Sequence, residues 1–440
     1  MKIQKILFGI VFCTLFCGYT SAQNDNWFDS QGKILPQYTD DNGLLSDEYL
    51  PDAYEFTSIE EAMLKPERVL KLNLSEKQLS EIPPEVFMFS NLQVLDLWQN
   101  QIEIIPEEIS QLTNLQYLSL NENKIKTITS SIGELKNLLM LNLGQNLLES
   151  LPEEISELEN LSDLVLDDNN LKKLPTNIGA IFTLSNLSAV KNKITELPES
   201  IGSLLALQSL DVSDNEITCL PKSIGTMSSL MIFDIHNNKI TSLPEEICNL
   251  THLPYFNISG NKLETLPKNI GKISFVQMLD LSNNQLTNIP ATISSFKVIQ
   301  EIDLSNNQLS VLPKTINSLN FISKINLSGN RLTKLPELSN LSSLTELILD
   351  DNDFEVLPLT ITKLKSLEKL SISTNKIKTL PPDFKKLEHL TTLNLSYNSF
   401  TDFEKGILPS TDLDLLDLKG NPIDDNIKQQ IKENYPFVKF

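Results

Sequence analysis

Residues 92–102 read LQVLDLWQNQI, and this pattern of leucine, isoleucine and asparagine decides the fold because the chain repeats it almost throughout. The asparagine recurs every 23 residues, with a single interval of 22 between Asn330 and Asn352. A fixed period of this length indicates a solenoid, in which one structural unit is stacked many times. The asparagines that mark the fifteen units are Asn100, Asn123, Asn146, Asn169, Asn192, Asn215, Asn238, Asn261, Asn284, Asn307, Asn330, Asn352, Asn375, Asn398 and Asn421.

Each unit contains the alternation that is typical of a short β-strand. In the unit of Asn238, Phe233 and Ile235 point to one side of the chain, and Asp234 points to the other. Strands that recur in the same direction stack as a parallel sheet. An asparagine side chain both donates and accepts hydrogen bonds, so it suits the unpaired backbone groups where the chain turns after each strand. We therefore expect the asparagine ladder to be structural.

The segment that returns to the next strand has its own motif, Leu-Pro-x-x-Ile, as in the LPEEI of residues 151–155. Proline followed by glutamate suits the first turn of a helix, so the motif predicts one short helical or 3-10 turn per unit. Thr129 and Glu404 replace the proline in two units, where we expect looser turns. The unit of 22 residues is expected to be shortened in this return segment, near residues 337–341.

These motifs resemble the leucine-rich-repeat family, from about Val69 to Ile423, in the form with 23-residue units found in exported bacterial members. The resemblance implies an α/β repeat solenoid. Its expected shape is a leucine-rich-repeat horseshoe, with a concave parallel β-sheet and short helical or 3-10 segments on the convex side. By the same resemblance, residues 424–440 are similar to a C-terminal cap, and residues 78–423 form the repeat array.

The N-terminal residues predict export. Lys2 and Lys5 precede an apolar run over residues 6–16, and small residues follow up to Ala22. This order is typical of a secretory signal peptide, residues 1–22, with cleavage expected between Ala22 and Gln23. Lipid attachment to a cysteine of this run is an alternative, which the bulky phenylalanine before each cysteine disfavours.

Two segments separate the signal peptide from the repeats. Residues 23–57 are acidic and have no repeat phase, so we interpret them as a flexible leader. Residues 58–77 form an N-terminal cap, in which the capping-box pattern at Ser58 predicts a short helix and residues 69–74 predict the first strand.

Charge and composition exclude several classes of function. The chain has 36 Lys+Arg and 57 Asp+Glu, a formal charge of −21, and removal of two lysines with the signal peptide gives −21 − 2 = −23. Such a protein repels phosphate backbones and anionic lipids, so nucleic-acid binding is disfavoured. After the signal peptide, no segment is apolar and long enough to predict an integral membrane span.

The sequence also predicts that the protein is not an enzyme and needs no cofactor or metal. The three histidines, His236, His252 and His389, belong to different units, and no metal-binding, nucleophile or phosphate-loop motif occurs. An acidic stripe on the concave face, able to bind a cation, is an alternative interpretation. The stripe would comprise Asp211, Asp234, Asp280 and Asp303.

Cys219 and Cys248 are expected to lie too far apart for a disulfide.

Two groups of apolar and aromatic residues occupy outward-facing positions of the predicted sheet, where the repeat pattern permits any residue. Exposed clusters of this kind are enriched at binding sites, so we predict that both contact a partner. The N-terminal patch comprises Val94, Trp98, Tyr117 and Met140. The central patch comprises Met231, Ile232, His236, Tyr255 and Met278.

The sequence thus predicts a non-enzymatic, exported interaction module that binds a macromolecule on its concave face. A protein is the favoured partner and a glycan chain is the alternative. By resemblance, a scaffold or adaptor of intracellular signalling is a second interpretation, which the signal peptide disfavours. A cell-surface adhesin that binds protein or glycan is a third.

Overall fold

The computed structural model describes residues 27–40, 43–46, 48–402, 406–409, 413–436 and 438–440. The expected signal peptide and its cleavage site lie outside these described residues. The chain divides into two compact units, residues 1–207 and residues 208–440, and the repeat pattern continues in both.

The first unit contains a parallel sheet of seven short strands, β1, β2, β3, β5, β7, β8 and β9, with β4 and β6 paired separately. Neighbouring strands pair with equivalent residues in register, so Leu95 lies beside Leu118. The strands are β1 (Glu55–Phe56), β2 (Lys71–Asn73), β3 (Val94–Asp96), β4 (Ile104–Ile105), β5 (Tyr117–Ser119), β6 (Thr127–Ile128), β7 (Met140–Asn142), β8 (Asp163–Val165) and β9 (Asn186–Ser188).

The second unit contains ten further strands, again parallel and in register. The prediction of a repeat solenoid built on parallel strands is therefore confirmed within each unit. The strands are β10 (Ser209–Asp211), β11 (Ile232–Asp234), β12 (Tyr255–Asn257), β13 (Met278–Asp280), β14 (Glu301–Asp303), β15 (Lys324–Asn326), β16 (Glu346–Ile348), β17 (Lys369–Ser371), β18 (Thr392–Asn394) and β19 (Leu415–Asp417).

The two faces of each sheet differ as the alternation predicts. On one face, residues such as Phe233 and Ile235 are fully buried, and the Phe233 ring stacks on that of Phe256 at 5.5 Å. The opposite face, which carries Asp234 and its equivalents in the other strands, is called the open face below. Stacking of like residues every 23 positions gives one continuous apolar core in each unit.

The recurrent asparagines hold the turns that follow the strands. The Nδ2 of Asn261 donates to the carbonyls of Ile235 and Ile258 at 3.0 and 3.1 Å, and its Oδ1 accepts from the Ile240 backbone N–H at 3.0 Å. The same Nδ2 also lies 3.2 Å from the Ser259 carbonyl, so one buried side chain bonds four backbone groups, two of them in the preceding repeat. The residue before the asparagine has a positive φ in many units, as at Gln99 with φ 54°.

The return segments form 3-10 helices, as the Leu-Pro-x-x-Ile motif predicts. In units such as that of Pro152 the proline is the N-cap residue rather than part of the first turn, whereas Asn177 and Asn269 are the N-cap residues of two shorter helices. Around the 22-residue interval, no 3-10 helix occurs between β15 and β16. The 3-10 helices are Pro36–Tyr38, Leu50–Asp52, Pro66–Arg68, Pro84–Met88, Glu107–Gln111, Ser130–Glu134, Glu153–Glu157, Ile178–Ala180, Glu199–Ser203, Lys222–Thr226, Glu245–Asn249, Ile270–Lys272, Ala291–Ser295, Lys314–Ser318, Leu359–Lys363 and Pro382–Lys386.

The expectation of a looser turn at Thr129 is wrong. A regular 3-10 helix follows it, because the Thr129 side chain accepts a hydrogen bond from the Ser131 backbone N–H at 3.3 Å and so caps the turn. Glu404, the other replacement of proline, lies outside the described residues.

Short α-helices lie near both ends of the described chain. Helix α1 (Ile59–Ala62) begins after Ser58, whose Oγ accepts from the Glu61 backbone N–H at 3.2 Å. Helix α2 (Asp425–Asn434) begins after Asp424, which caps it by accepting from the Asn426 N–H at 2.9 Å. Both caps satisfy backbone donors that a helix start leaves unpaired.

The interpretation of residues 23–57 as a flexible leader is wrong for the part that the structure describes. Trp27, Ile34, Leu45, Leu50 and Ala53 are buried in one cluster against the open face of the first unit. Two isolated antiparallel bridges and two 3-10 helices shape the segment, and β1 then joins the sheet beside β2. Burial of these side chains offsets the entropy of ordering a segment that has no repeat pattern.

Candidate interaction surfaces

The structure aligns three residues of the predicted N-terminal patch but covers them. Val94, Tyr117 and Met140 are neighbours in register on β3, β5 and β7. Their exposed fractions are only 1%, 9% and 4%, because the segment of residues 27–53 packs on them. The prediction that they form an exposed contact site is therefore wrong: the residues that they contact belong to the same chain.

The covering segment has an aromatic centre that explains its ordered packing. The ring of Trp27 lies 6.2 Å from that of Tyr38 and 6.1 Å from that of Tyr49, and the two tyrosine rings meet edge to face at 5.3 Å. The Nδ2 of Asn91 also donates to the Gly32 carbonyl at 3.0 Å, which ties the segment to the first repeats. Aromatic contacts and hydrogen bonds together fix the cover on the sheet.

Trp98, the fourth residue of the N-terminal patch, is not part of this covered cluster. Its side chain is half-buried, and its backbone N–H donates to Asp96 Oδ1 at 2.9 Å. Burial raises the pKa of the Asp96 carboxyl. The structure therefore divides the N-terminal patch into a covered row and a separate tryptophan.

The central patch is aligned and accessible. Ile232, Tyr255 and Met278 face each other in register on β11, β12 and β13. Met278 is 36% exposed and Met231, which precedes Ile232, is 50% exposed, while Ile232 and Tyr255 are half-buried. At a spacing of about 4.8 Å between strands, the row extends roughly 10 Å across the open face. Burial is the main cause that raises the pKa of Tyr255 to about 12.

His236 lies beside this row within a group of carboxylates. Its Nδ1 is 2.6 Å from Asp234 Oδ1, and its Nε2 is 3.7 Å from Asp214 Oδ2. The hydrogen bond with Asp234 raises the pKa of His236 above its usual value of 6.5, with further contributions from the charges of Asp234, Asp214 and Asp211 and against the effect of burial. The imidazole is thus held in a strongly negative environment.

The acidic stripe of the sequence analysis exists as a row, but its carboxylates bond to the protein. Asp303 Oδ1 accepts from the Ser305 backbone N–H at 2.9 Å, and its Oδ2 accepts from Asn326 Nδ2 at 2.9 Å. Burial raises the pKa of the Asp280 carboxyl, to which the nearby charges of Asp303 and Asp234 add. Among the residues that the structure describes, no group of three or more His, Cys, Asp and Glu side chains is arranged to hold a metal ion.

A shallow cavity of about 130 Å³ continues the central patch toward β14 and β15. Tyr255 and Met278 form its apolar side, and Asp280, Glu301 and Asp303 form its acidic side. Lys324 also lines it and pairs with Glu346, with an Nζ–Oε1 distance of 3.3 Å. The sequence predicts the aromatic residues on one side of this cavity and the acidic row on the other. It does not predict that both line the same cavity.

The first unit has a further apolar area that the sequence analysis missed. Phe87, Met88, Ile104 and two prolines line a groove of about 440 Å³ beside the return segments. Met88 and Ile104 are 60% and 62% exposed. These residues fall in the return segment, where the motif accounts for the proline and the buried isoleucine but does not determine the exposed side chains.

Cys219 is exposed, Cys248 is buried and both are free. Burial raises the pKa of the Cys248 thiol to about 11, which keeps it protonated and unreactive. No helix in the described ranges is both long and apolar enough to cross a bilayer.

Comparison with protein families gives matches over most of the chain. A model described as a leucine-rich repeat region matches residues 107–193, 176–247 and 242–347. A second model, described as leucine rich repeat, matches residues 67–125 and 365–423. No curated protein matches the chain.

Solved structures with the same fold come from bacteria and plants. A leucine-rich-repeat protein of Leptospira interrogans is 35% identical, with 88% of this chain and 99% of that chain covered and a TM-score of 0.79. The Arabidopsis receptor kinase HAESA, in complex with the peptide hormone IDA and the co-receptor SERK1, is 26% identical, with 88% and 67% covered and a TM-score of 0.70. The functional domain of InlJ from Listeria monocytogenes is 21% identical, with 82% and 70% covered and a TM-score of 0.61.

Proposed function

We propose that this chain, which belongs to the leucine-rich-repeat family, is a non-enzymatic, exported interaction module that binds a protein partner through its central patch. The observation that carries the proposal is the register of Ile232, Tyr255 and Met278, which places three accessible apolar side chains in one row on the open face. Val94, Tyr117 and Met140 of the N-terminal patch are buried in a cluster with Trp27, Ile34, Leu45, Leu50 and Ala53, so we do not assign this role to them.

The row of Ile232, Tyr255 and Met278 is suited to binding because the surface that carries it is already rigid in the free protein. Phe233 and Phe256 lie directly beneath it in the core, and each asparagine of the ladder locks the turn that follows a strand. A rigid surface loses little conformational freedom on association, so more of the contact energy remains as affinity. Tyrosine and methionine also contribute large contact areas, and methionine adapts its shape to a partner.

The similar plant receptor supports a protein or peptide as the partner. In the structure of HAESA, a chain of the same fold is in complex with a peptide hormone and a co-receptor. The acidic surroundings of the central patch argue against nucleic acid, because carboxylates repel a phosphate backbone.

The environments of the histidines support a non-enzymatic role. His236 is held by Asp234, and the ring of His252 stacks on that of Phe275 at 5.5 Å. The acidic residues nearest to His236 serve the turns after the strands, as Asp234 Oδ1 also accepts from the His236 backbone N–H at 3.2 Å. The positions of His236 and His252 are therefore explained by contacts within the protein.

Export is the second part of the proposal and has its own test. The basic and apolar order of residues 1–22 supports it. Expression of the full chain in a bacterial host, followed by fractionation and N-terminal mass spectrometry, is expected to give exported protein that begins at Gln23. Cytosolic protein that retains residues 1–22 would overturn the export proposal and favour the intracellular adaptor.

Binding is tested by capture of partners on immobilised protein, with variants that the fold tolerates. Tyr255→Ser with Met278→Thr removes two of the three side chains of the apolar row, and serine and threonine already occupy this strand position at Ser209 and Thr392. The control replaces two exposed residues elsewhere in the second unit, Phe321→Ala with Val311→Ala. A partner protein retained by the native chain and the control, and lost by the double variant, supports the proposal.

A partner retained equally by all three proteins would contradict the role of the central patch. A partner lost only by the control would instead place recognition outside the open face.

A further inference from the structure

The apolar row of the central patch ends beside a group of carboxylates. Next to Met278 on the open face, Asp280, Glu301 and Asp303 line one cavity. Lys324 is the lysine that lines this cavity, and its Nζ lies 3.3 Å from Glu346 Oε1. The Nζ of Lys369 lies 3.9 Å from the Oε2 of the same glutamate. The charge of Lys324 is therefore already paired with a neighbouring carboxylate.

The size of this cavity indicates what kind of group it can receive. At about 130 Å³ it is smaller than the roughly 300–1,000 Å³ of pockets that enclose a small-molecule ligand. It has room for one long side chain that belongs to a larger partner. Tyr255 and Met278 offer apolar contact to the stem of that side chain, and the carboxylates meet its head.

The charge of the acidic side requires that this head be cationic. Asp280 Oδ1 accepts a hydrogen bond from the Ser282 backbone N–H at 2.9 Å, and burial together with the neighbouring Asp303 and Asp234 charges raises the pKa of its carboxyl. A guanidinium or ammonium group at this place would relieve the repulsion among the carboxylates. An anionic group would increase it.

We infer that the partner presents a basic segment in which an apolar residue on Ile232, Tyr255 and Met278 is adjacent to an arginine or lysine beside Asp280, Glu301 and Asp303. This inference rests on the proposed function, because it names the chemistry of the ligand for the same patch. The apolar contact provides the surface that is removed from water, and the carboxylates select against acidic partners.

The experiment uses three labelled synthetic peptides of equal length and measures their binding to the full mature protein by fluorescence anisotropy. One peptide alternates leucine with lysine, the second alternates serine with lysine, and the third alternates leucine with glutamate. The leucine–lysine peptide is expected to bind at least about tenfold more tightly than the serine–lysine peptide. The leucine–glutamate peptide is expected not to bind.

Matched variants separate the patch from the general charge of the protein. Asp280→Asn with Asp303→Asn removes two negative charges and keeps the fold, since asparagine already occupies this column at Asn257 and Asn326. Glu107→Gln with Glu108→Gln removes the same charge from an exposed return segment. Affinity for the leucine–lysine peptide is expected to fall about tenfold in the first variant and to stay unchanged in the second.

Several results would overturn the inference. The first is that the leucine–lysine peptide does not bind. The second is that the serine–lysine or the leucine–glutamate peptide binds as tightly as the leucine–lysine peptide. The third is that both charge variants lose the same affinity for the leucine–lysine peptide. The proposed function fails separately: it is wrong if no protein partner depends on Tyr255. If a Tyr255-dependent partner binds Asp280→Asn with Asp303→Asn protein as well as the native chain, the function stands and the basic segment is rejected.

Discussion

The imidazole Nδ1 of His236 lies 2.6 Å from the Oδ1 of Asp234, on the open face at the second strand of the second unit. Asp234 is buried and also accepts a hydrogen bond from Asn257 Nδ2 at 3.2 Å, so its carboxylate is fixed in place. His236 is therefore held by a neighbour on its own repeat, beside the row formed by Ile232 and Tyr255.

This pair predicts a pH dependence of stability. The folded-state pKa of His236 lies above its usual 6.5, so the imidazolium contributes stability that is fully present below about pH 6.5 and is lost as pH rises through the raised value. The free energy of unfolding of the native chain should therefore exceed that of His236→Gln by more at about pH 5.5 than at about pH 9. These two pH values lie roughly below and above the range in which His236 loses its proton. Titration of the His236 ring by NMR gives the pKa directly, and Asp234→Asn should lower it. A native value at or below 6.5 would contradict the geometry.

The asparagine ladder predicts that replacing one of its asparagines lowers the free energy of unfolding. Asn261→Ala leaves the Ile240 N–H without its partner. It also removes one of the two amide donors of the Ile235 and Ile258 carbonyls, which still accept from Asn238 and Asn284. At roughly 1–3 kcal/mol for the one buried N–H that is left unpaired, the free energy of unfolding should fall by about 2 kcal/mol. Urea unfolding measures the change, with the exposed Asn288→Ala as the control. Equal stability of the two variants would refute the structural role of the ladder.

The cover on the first unit predicts local protease resistance. Trp27→Ala removes the centre of the aromatic cluster, and truncation of a buried tryptophan costs about 3–5 kcal/mol. Limited proteolysis should then cut within residues 27–53 much faster than in the native chain, while the repeats stay intact. Phe182→Ala, at a side chain that is 70% exposed, should leave the rate unchanged. If Trp27→Ala and Phe182→Ala are cut alike, the segment is not held by this cluster.

The close approach of neighbouring return segments predicts a specific intolerance at Gly179. A Cβ at this position would lie 1.9 Å from the backbone carbonyl oxygen of Ser200, so Gly179→Ala forces backbone displacement. Overpacking of this kind costs about 1–3 kcal/mol. Gly144→Ala is the control, because its nearest contact is a side-chain oxygen of Asn142 at 3.3 Å. Thermal unfolding should show a clear drop for Gly179→Ala and a smaller one for Gly144→Ala, and the reverse order would contradict this packing.

The sequence predicts the repeating part of the fold well, because a stacked repeat shows the same physical requirement many times over. Phe233 and Ile235 alternate with Asp234 as in every strand, and that alternation alone separates the core from the open face. The same alternation places Ile232, Tyr255 and Met278 at outward-facing positions, and the structure brings these positions into register. The left-handed residue before each asparagine has no clear sequence signal, because glycine occupies this position in only a few units, as at Gly260, while residues such as Gln99 occupy it in the others.

The cover could not be predicted in this way, because its contacts are few, aperiodic and distant along the chain. Asn91 reaches Gly32, and Trp27 belongs to the same buried cluster as Met140, although no pattern relates these positions. The same cause made the N-terminal patch appear accessible in sequence while Val94 is buried in the structure. Large apolar residues within the acidic stretch, Trp27 above all, were the available signal of a packed segment.

The most direct test of the proposed binding surface places a photocrosslinker on the central patch. In the variant Tyr255→p-benzoylphenylalanine, irradiation with the captured partner should give a covalent complex. The same replacement at the exposed Phe321, elsewhere in the second unit, should give none. Crosslinking from Phe321 and not from Tyr255 would contradict the claim that the open face around Ile232, Tyr255 and Met278 is where this protein binds its partner.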